Sequence, residues 1–214
     1  MPDKSTDFAT HPRIFCIGRN YAKHIAELGD ADASRCVIFM KPTSCLVPQG
    51  GAVPLPRGQG AVHFEAELVV QIGRAGSRID EAVAAEHIQA LTLGLDLTLR
   101  DLQNEMKSQG APWERSKAFD QSAPLGDWRA YEPGLDLTAL EFFCHVNGEQ
   151  RQHAQTRDML FPVPQLVSLL SQTWALRPGD MIFTGTPEGV GPLHPGDEVS
   201  LSSPSLGQFS WQMV

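Results

Sequence analysis

Cysteine is scarce and scattered in this chain. Cys16, Cys36, Cys45 and Cys144 form no Cys-x-x-Cys pair, which excludes a ribbon-type zinc site and a small disulfide scaffold and predicts reduced, mostly buried thiols. Basic residues are also in the minority. Lys and Arg total 17 against 25 Asp and Glu, a formal net charge of −8, and they form no cluster. Binding to a nucleic-acid backbone relies on grouped cations that displace counterions, so that function is excluded. A small anionic ligand is still allowed, because a metal and a few local cations reverse the field inside one pocket. No uninterrupted apolar run approaches the ~20 residues that span a bilayer. The opening twelve residues, with Asp3, Lys4 and Asp7 and no apolar block, do not resemble a secretory signal. A cytoplasmic protein with no membrane partner is expected, and no internal repeat is present.

The composition itself is globular. With 214 residues, 42% of them hydrophobic and 20% charged, the chain suffices for one packed domain and is short for two. An N-terminal arm over 1–12 and a single catalytic domain over 13–214 are expected. Residues 13–17 and 37–41 read as strands closed by Gly18 and Pro42, with a short helix over 21–28 that ends at Gly29. Residues 63–72 form a strand and 82–90 a helix. In the strand over 91–100, Leu91, Leu93, Leu95, Leu97 and Leu99 alternate without exception with Thr92, Gly94, Asp96, Thr98 and Arg100. A helix over 101–109 stops at Gly110, and a strand over 141–147 enters a hairpin at Asn147-Gly148. A helix over 161–175 carries Val163, Leu166, Val167 and Leu170 as its apolar stripe. Pro178-Gly179-Asp180 and Pro195-Gly196-Asp197 are turns, each followed by a strand. This strand-rich pattern with three or four helices and no regular βαβ alternation is α+β.

Strand alternation turns His63, Glu65 and Glu67 to one face, with the two carboxylates roughly 7 Å apart at the backbone. Like charges on a half-buried strand repel and lose hydration, which a bound cation relieves. The leucines beside Asp96 take the core and send its carboxylate to the polar side, where it joins the other two. Oxygen ligands alone select hard cations, Mg²⁺, Mn²⁺ or Ca²⁺. The bland alternatives are a solvated acidic face for Glu65 and Glu67, and a simple ion pair from Asp96 to Arg100 or Lys117.

His24 and Glu27 lie three apart on one helical face, a spacing that allows Glu27 to orient the ring and leave the other nitrogen to accept a proton. An inert surface histidine is the alternative. Lys117, Arg100 and Lys41 are candidate carboxylate holders, equally readable singly as surface cations. The stretch Thr184-Gly185-Thr186-Pro187-Glu188-Gly189-Val190-Gly191 follows a strand and offers backbone N–H groups to an anion, or is a plain turn. It lacks the Gly-Lys-Ser/Thr ending of a phosphate loop.

Taken together, several segments resemble the fumarylacetoacetate hydrolase family, in particular its short, single-domain acylpyruvase-like members. They are Gly18-Arg19-Asn20-Tyr21 through Glu27, the Lys41-Pro42 corner, residues 63–68, and Asp96-x-Thr-x-Arg-Asp-x-Gln ending at Gln103. Residues 112–126 around Lys117, Asn147-Gly148-Glu149 with Gln152, and residues 184–191 complete the set. The resemblance runs nearly the full length and implies a β-rich mixed folded sheet, or β-roll, with a few peripheral helices, forming a homodimer. It implies Glu65, Glu67 and Asp96 as ligands of Mg²⁺ or Mn²⁺, and a mobile lid whose His24–Glu27 dyad activates water. It places Lys117 with the catalytic groups and Arg19, Lys41, Arg100, Gln103 and Thr186 around a bound 2-oxo acid.

The reaction so implied is hydrolysis of a C–C bond in a 2,4-dioxo acid, an acylpyruvate or fumarylpyruvate, giving pyruvate and a carboxylic acid. Decarboxylation of oxaloacetate, or isomerisation of a related 2-oxo acid, needs the same electron sink and no attacking water. A non-catalytic domain that binds Ca²⁺ for stability is the reading from a different class.

Overall fold

The computed structural model describes residues 12–29 and 36–214; all of the 1–12 arm except Pro12 lies outside them. Strand Ala66–Ile72 is the organising element because apolar residues cover both its faces, and every residue in it except Gln71 is buried. It pairs antiparallel with Ile88–Leu95 on one side and Met181–Phe183 on the other. From there the eight-stranded sheet runs outwards through Ile14–Gly18 to Val37–Lys41 at one edge, and through Ala123–Leu125 to Leu46–Pro48 at the other. Ile14–Gly18 is parallel to Met181–Phe183, and Leu46–Pro48 to Ala123–Leu125, so the sheet is mixed. A five-stranded sheet carries the hairpin of Glu141–Val146 and Glu149–Gln155, and a three-stranded sheet contains Val62–Phe64 and Thr98–Leu99. The fold is α+β and strand-rich, with few helices.

The alternating leucines do what their spacing predicts. Leu91, Leu93, Leu95, Leu97 and Leu99 all join the larger apolar core. Their opposite face is not a polar surface, however. Thr92, Asp96 and Thr98 are also buried, and Thr92 pairs with Val69 of a second, smaller core that includes Cys16 and Phe183. Alternation reported which side was wholly apolar; it carried no information about what covered the other.

Three expected elements differ. The strand over 91–100 ends at Leu95, Thr98–Leu99 belongs to the three-stranded sheet, and Arg100 already opens a helix. The strand over 63–72 is broken at Glu65 into Val62–Phe64 and Ala66–Ile72, which belong to different sheets. The backbone there is satisfied from outside the ladder: Glu65 O accepts from the Asp96 N–H at 2.8 Å, and the Ala66 N–H donates to Gln152 Oε1 at 3.0 Å. The helix over 82–90 is a 3₁₀ run, Glu81–His87, capped by the Asp80 carboxylate on the Ala82 N–H, and its last residues enter Ile88–Leu95. Pairing of Ile88 with Ile72 and Ala90 with Gln71 overrides local alanine-rich helix propensity.

Among the described residues the α-helices are α1 (Ala22–Glu27), α2 (Arg100–Gln109), α3 (Glu114–Lys117) and α4 (Val163–Thr173). The four stripe residues of α4 are all buried, and Asn147 and Gly148 take the positive φ values of 53° and 79° that a tight hairpin requires. All four cysteines are unpaired. Among the described residues, no helix is long and apolar enough to cross a membrane.

Candidate active site

The break at Glu65 brings the three carboxylates together. Glu65 leaves one sheet, Glu67 sits in the next opposite Gly94, and Asp96 follows directly on the end of Ile88–Leu95. One oxygen from each lies within 4.8 Å of the others. The three residues are 4%, 1% and 1% exposed, so a solvated acidic face is excluded.

Cations surround this trio unevenly. Lys117 Nζ donates to Glu65 Oε2 and Asp96 Oδ2, both at 2.6 Å, and Arg100 donates to Glu65 Oε1 and to Gln103. Burial works to raise the Glu65 carboxyl, but Lys117 and Arg100 outweigh it and hold the group well below the usual carboxylate range. Burial likewise opposes the Lys117 charge, and Asp96 and Glu65 more than offset it, lifting that ammonium above the ordinary lysine value. Glu67 instead accepts from the Gly185 N–H at 2.8 Å. Burial, then the charges of Asp96 and Glu65, push its carboxyl well up.

Lys41 Nζ stands 2.9 Å from Asp96 Oδ1. Its protons are directed to the Lys117 carbonyl and to Ser122 Oγ at 2.9 Å, so Oδ1 has ion-pair proximity without an aligned hydrogen bond. An orphaned buried oxygen, a neighbouring carboxyl short of positive charge and an all-oxygen donor set fit a hard divalent cation.

Helix α1 borders the same cavity as Glu65, through His24 and Ile25. Asn20 clamps its entry, donating from Nδ2 to the carbonyls of Phe161 (3.1 Å) and Thr184 (2.7 Å) and accepting from the Phe161 N–H at 2.7 Å. His24 is buried, with Nδ1 3.1 Å from Glu27 Oε2, and Glu27 Oε1 accepts from the Gly189 N–H at 3.0 Å. Arg19, His24, Glu65, Arg100, Gln103 and Lys117 line one cavity of about 30 Å³, room for a water or two. Arg19 holds φ at 65°, in the left-handed region that costs a non-glycine residue free energy.

Five candidate residues do not line this cavity: Glu67 and Asp96 meet Glu65 behind it, Glu27 reaches it only through His24, and Lys41 and Thr186 lie elsewhere. Lys41 is a buried counterion behind Asp96 rather than part of the cavity wall. Thr186 is tied through Oγ1 to Gln152 Nε2 at 2.9 Å and does not line the cavity either. The glycine-rich stretch spends its N–H groups on protein carboxylates, Gly185 on Glu67 and Gly189 on Glu27. Gln152 is the positioning residue that sequence reasoning left without a role: it links Ala66 N, Thr186 and the Pro187 carbonyl. The available signal was a polar residue at an inward position of an amphipathic hairpin strand.

Gly185 fixes the geometry around Glu67. Its φ is +99°, and an added Cβ would sit 2.7 Å from Asn20 Cβ and 3.1 Å from the Ile17 carbonyl. Gly185→Ala is expected to lower stability by about 2–3 kcal/mol in chemical denaturation. It should also weaken divalent-cation binding by about tenfold or more, as loss of a supporting hydrogen bond does. Unchanged stability and cation affinity would show that this contact does not matter.

The family model described as Fumarylacetoacetate (FAA) hydrolase C-terminal matches residues 13–214. A mitochondrial oxaloacetate tautomerase of Mus musculus is 40% identical over 87% of this chain and 84% of its own. An oxaloacetate tautomerase of Escherichia coli is 40% identical over 89% and 87%. The crystal structure of fumarylpyruvate hydrolase from Pseudomonas aeruginosa in complex with Mn²⁺ and pyruvate is similar with a TM-score of 0.91 at 38% identity, covering 95% of this chain and 90% of that one.

Proposed function

The chain belongs to the fumarylacetoacetate hydrolase family, and from that premise we propose that it hydrolyses a C–C bond of a 2,4-dioxo acid, an acylpyruvate or fumarylpyruvate, with the help of Mg²⁺ or Mn²⁺. The observation that carries this reading is the buried Glu65, Glu67 and Asp96 trio, whose member Glu65 lines a water-sized cavity together with His24. These three residues would hold the cation. When bound, it supplies Lewis-acid stabilisation of the negative charge that develops on the 2-oxo acid.

The remaining chemistry belongs to the chain. Glu27 fixes Nδ1 of His24 as the protonated nitrogen, which leaves the Nε2 lone pair to accept a proton from water. The water oxygen bonds to the 4-carbonyl carbon, the C3–C4 bond breaks, and its electron pair stays on the pyruvate fragment as the enolate. That enolate recovers the proton from His24. Arg100 and Gln103 orient the carboxylate end, and the Lys117 ammonium offsets developing oxyanion charge. A cavity of about 30 Å³ does not admit the substrate, so α1 lifts for entry. Its hold on the glycine-rich loop is slight: Glu27 to Gly189 N, and an exposed Lys23–Glu188 pair at 3.4 Å.

The 40% identity to oxaloacetate tautomerases favours a second reading. Here His24 moves a proton between C3 and the 2-oxo oxygen, with no water consumed and no bond to carbon broken except C–H.

A panel of acetylpyruvate, fumarylpyruvate and oxaloacetate, assayed with Mg²⁺ or Mn²⁺ and with EDTA, tests both. Hydrolysis is expected to vanish in EDTA and to return with added cation. His24→Ala is expected to lower it by about a hundredfold or more. Hydrolysis undiminished in that variant overturns the water-activating role. Oxaloacetate tautomerisation without hydrolysis of either dioxo acid establishes the second reading. Ca²⁺ stabilisation with no turnover of any substrate returns the chain to a binding domain.

A further inference from the structure

Among the described residues, His63 Nδ1 and Arg100 Nε are buried side-chain atoms with no hydrogen-bond partner. The sheet register puts the two side chains on one face. Val62 stands opposite Leu99 and His63 opposite Thr98 in an antiparallel pair, and the Arg100 N–H donates to the Ala61 carbonyl at 3.0 Å, which extends the register by one residue. Val62, Phe64, Leu97 and Leu99 all enter the larger core, so His63, Thr98 and Arg100 turn to the other side. His63 and Arg100 are diagonal neighbours there, about 7–8 Å apart at the backbone, a span within reach of an aromatic ring and a long side chain. Arg100 also donates to Glu65, two residues beyond His63 in the chain, which keeps its guanidinium over this face.

The two orphaned atoms are complementary. Arg100 directs Nη1 to Gln103 Oε1 and Nη2 to Glu65 Oε1, while its Nε–H is buried with nothing to receive it. Burial, and next the Arg100 charge, favour the neutral imidazole of His63. With its proton on Nε2, that ring offers Nδ1 as an acceptor. No direct bond joins donor and acceptor, and a single bridging water satisfies such a pair. We propose that His63 is a positioning residue for Arg100, acting through one buried water that accepts from Arg100 Nε and donates to His63 Nδ1. This rests on the 2-oxo acid reading above and deepens it. A ligand carboxylate at Arg100 competes with Gln103 and Glu65 for Nη1 and Nη2. The Nε contact is the one that persists through that exchange, and it holds the planar fork in the orientation a carboxylate needs.

The test pairs a high-resolution crystal structure of the Mn²⁺-loaded protein with calorimetric titration of pyruvate, the product that the proposed hydrolysis releases. The structure is expected to show an ordered water within about 3.2 Å of both Arg100 Nε and His63 Nδ1. His63→Leu removes the acceptor and should weaken pyruvate about tenfold, the size of one hydrogen bond to a charged group, with Mn²⁺ affinity kept within about twofold. His63→Asn places an amide oxygen near the position of Nδ1 and should bring pyruvate binding back to within about threefold of wild type. A site without that water overturns the proposal, as does equal weakening in His63→Leu and His63→Asn. So does a His63→Leu protein that melts earlier yet binds pyruvate as wild type does, the result if the ring only fills space. The water and this order of affinities, found in a protein that turns over no member of the substrate panel, would sink the reaction assignment and leave His63 in its role.

Discussion

Asp96→Asn is expected to reduce metal-dependent turnover by at least about a thousandfold, roughly 4 kcal/mol of transition-state stabilisation. The substitution is nearly isosteric, so the backbone link from the Asp96 N–H to Glu65 and the packing of the neighbouring leucines are retained. What changes is charge at a position 1% exposed. The orphaned oxygen Oδ1 either becomes an amide nitrogen, which repels a cation, or remains an uncharged acceptor beside Lys41. Isothermal titration with Mn²⁺ checks the binding half, where a loss of about a hundredfold or more is expected. Circular dichroism confirms that the variant is folded. Turnover within tenfold of wild type would remove Asp96 from the cation site.

Lys117→Met should produce two separable effects. In EDTA, the ammonium that bridges Glu65 and Asp96 at 2.6 Å to each is gone, and three buried carboxylates face only Arg100 and Lys41. Removing one partner from a buried ionic cluster costs about 3 kcal/mol, which in a domain of this size lowers the melting temperature by roughly 10 °C. Added Mn²⁺ should recover more stability in the variant than in wild type, because the cation supplies the missing positive charge to the same oxygens. Turnover should nevertheless stay about a hundredfold or more below wild type, since a charge aimed at developing oxyanion density is not replaced. Melting curves with EDTA and with Mn²⁺ separate the two. Equal melting temperatures for wild type and variant in EDTA would show that the ammonium is not the counterion of the trio.

Much of the site was legible in the sequence because its residues sit at short, patterned spacings. Glu65 and Glu67 were paired by alternation, His24 and Glu27 by a helical turn, and Asp96 by the leucines around it. Alternation overreached where it assumed one unbroken strand over 63–72: the kink is held by the Asp96 N–H, 31 positions from Glu65, and by Gln152, 86 positions from Ala66. The resemblance puts Lys41 and Thr186 at substrate-contact positions, and in the fold, where long-range packing sets their places, each is engaged by other protein groups and neither lines the cavity.

By itself, the sequence determined periodicity and chemistry: which faces are apolar, where glycine permits a turn, and which hard oxygen donors are available. Tertiary structure alone decided that the second face of the leucine strand is interior, that Lys117 and Arg100 neutralise Glu65 while Glu67 meets a backbone N–H, and that Lys107 shares a cavity with Glu65. The physical reason is range. Backbone geometry propagates side-chain direction over a few residues, whereas burial and ion pairing depend on segments that only the folded sheets bring together.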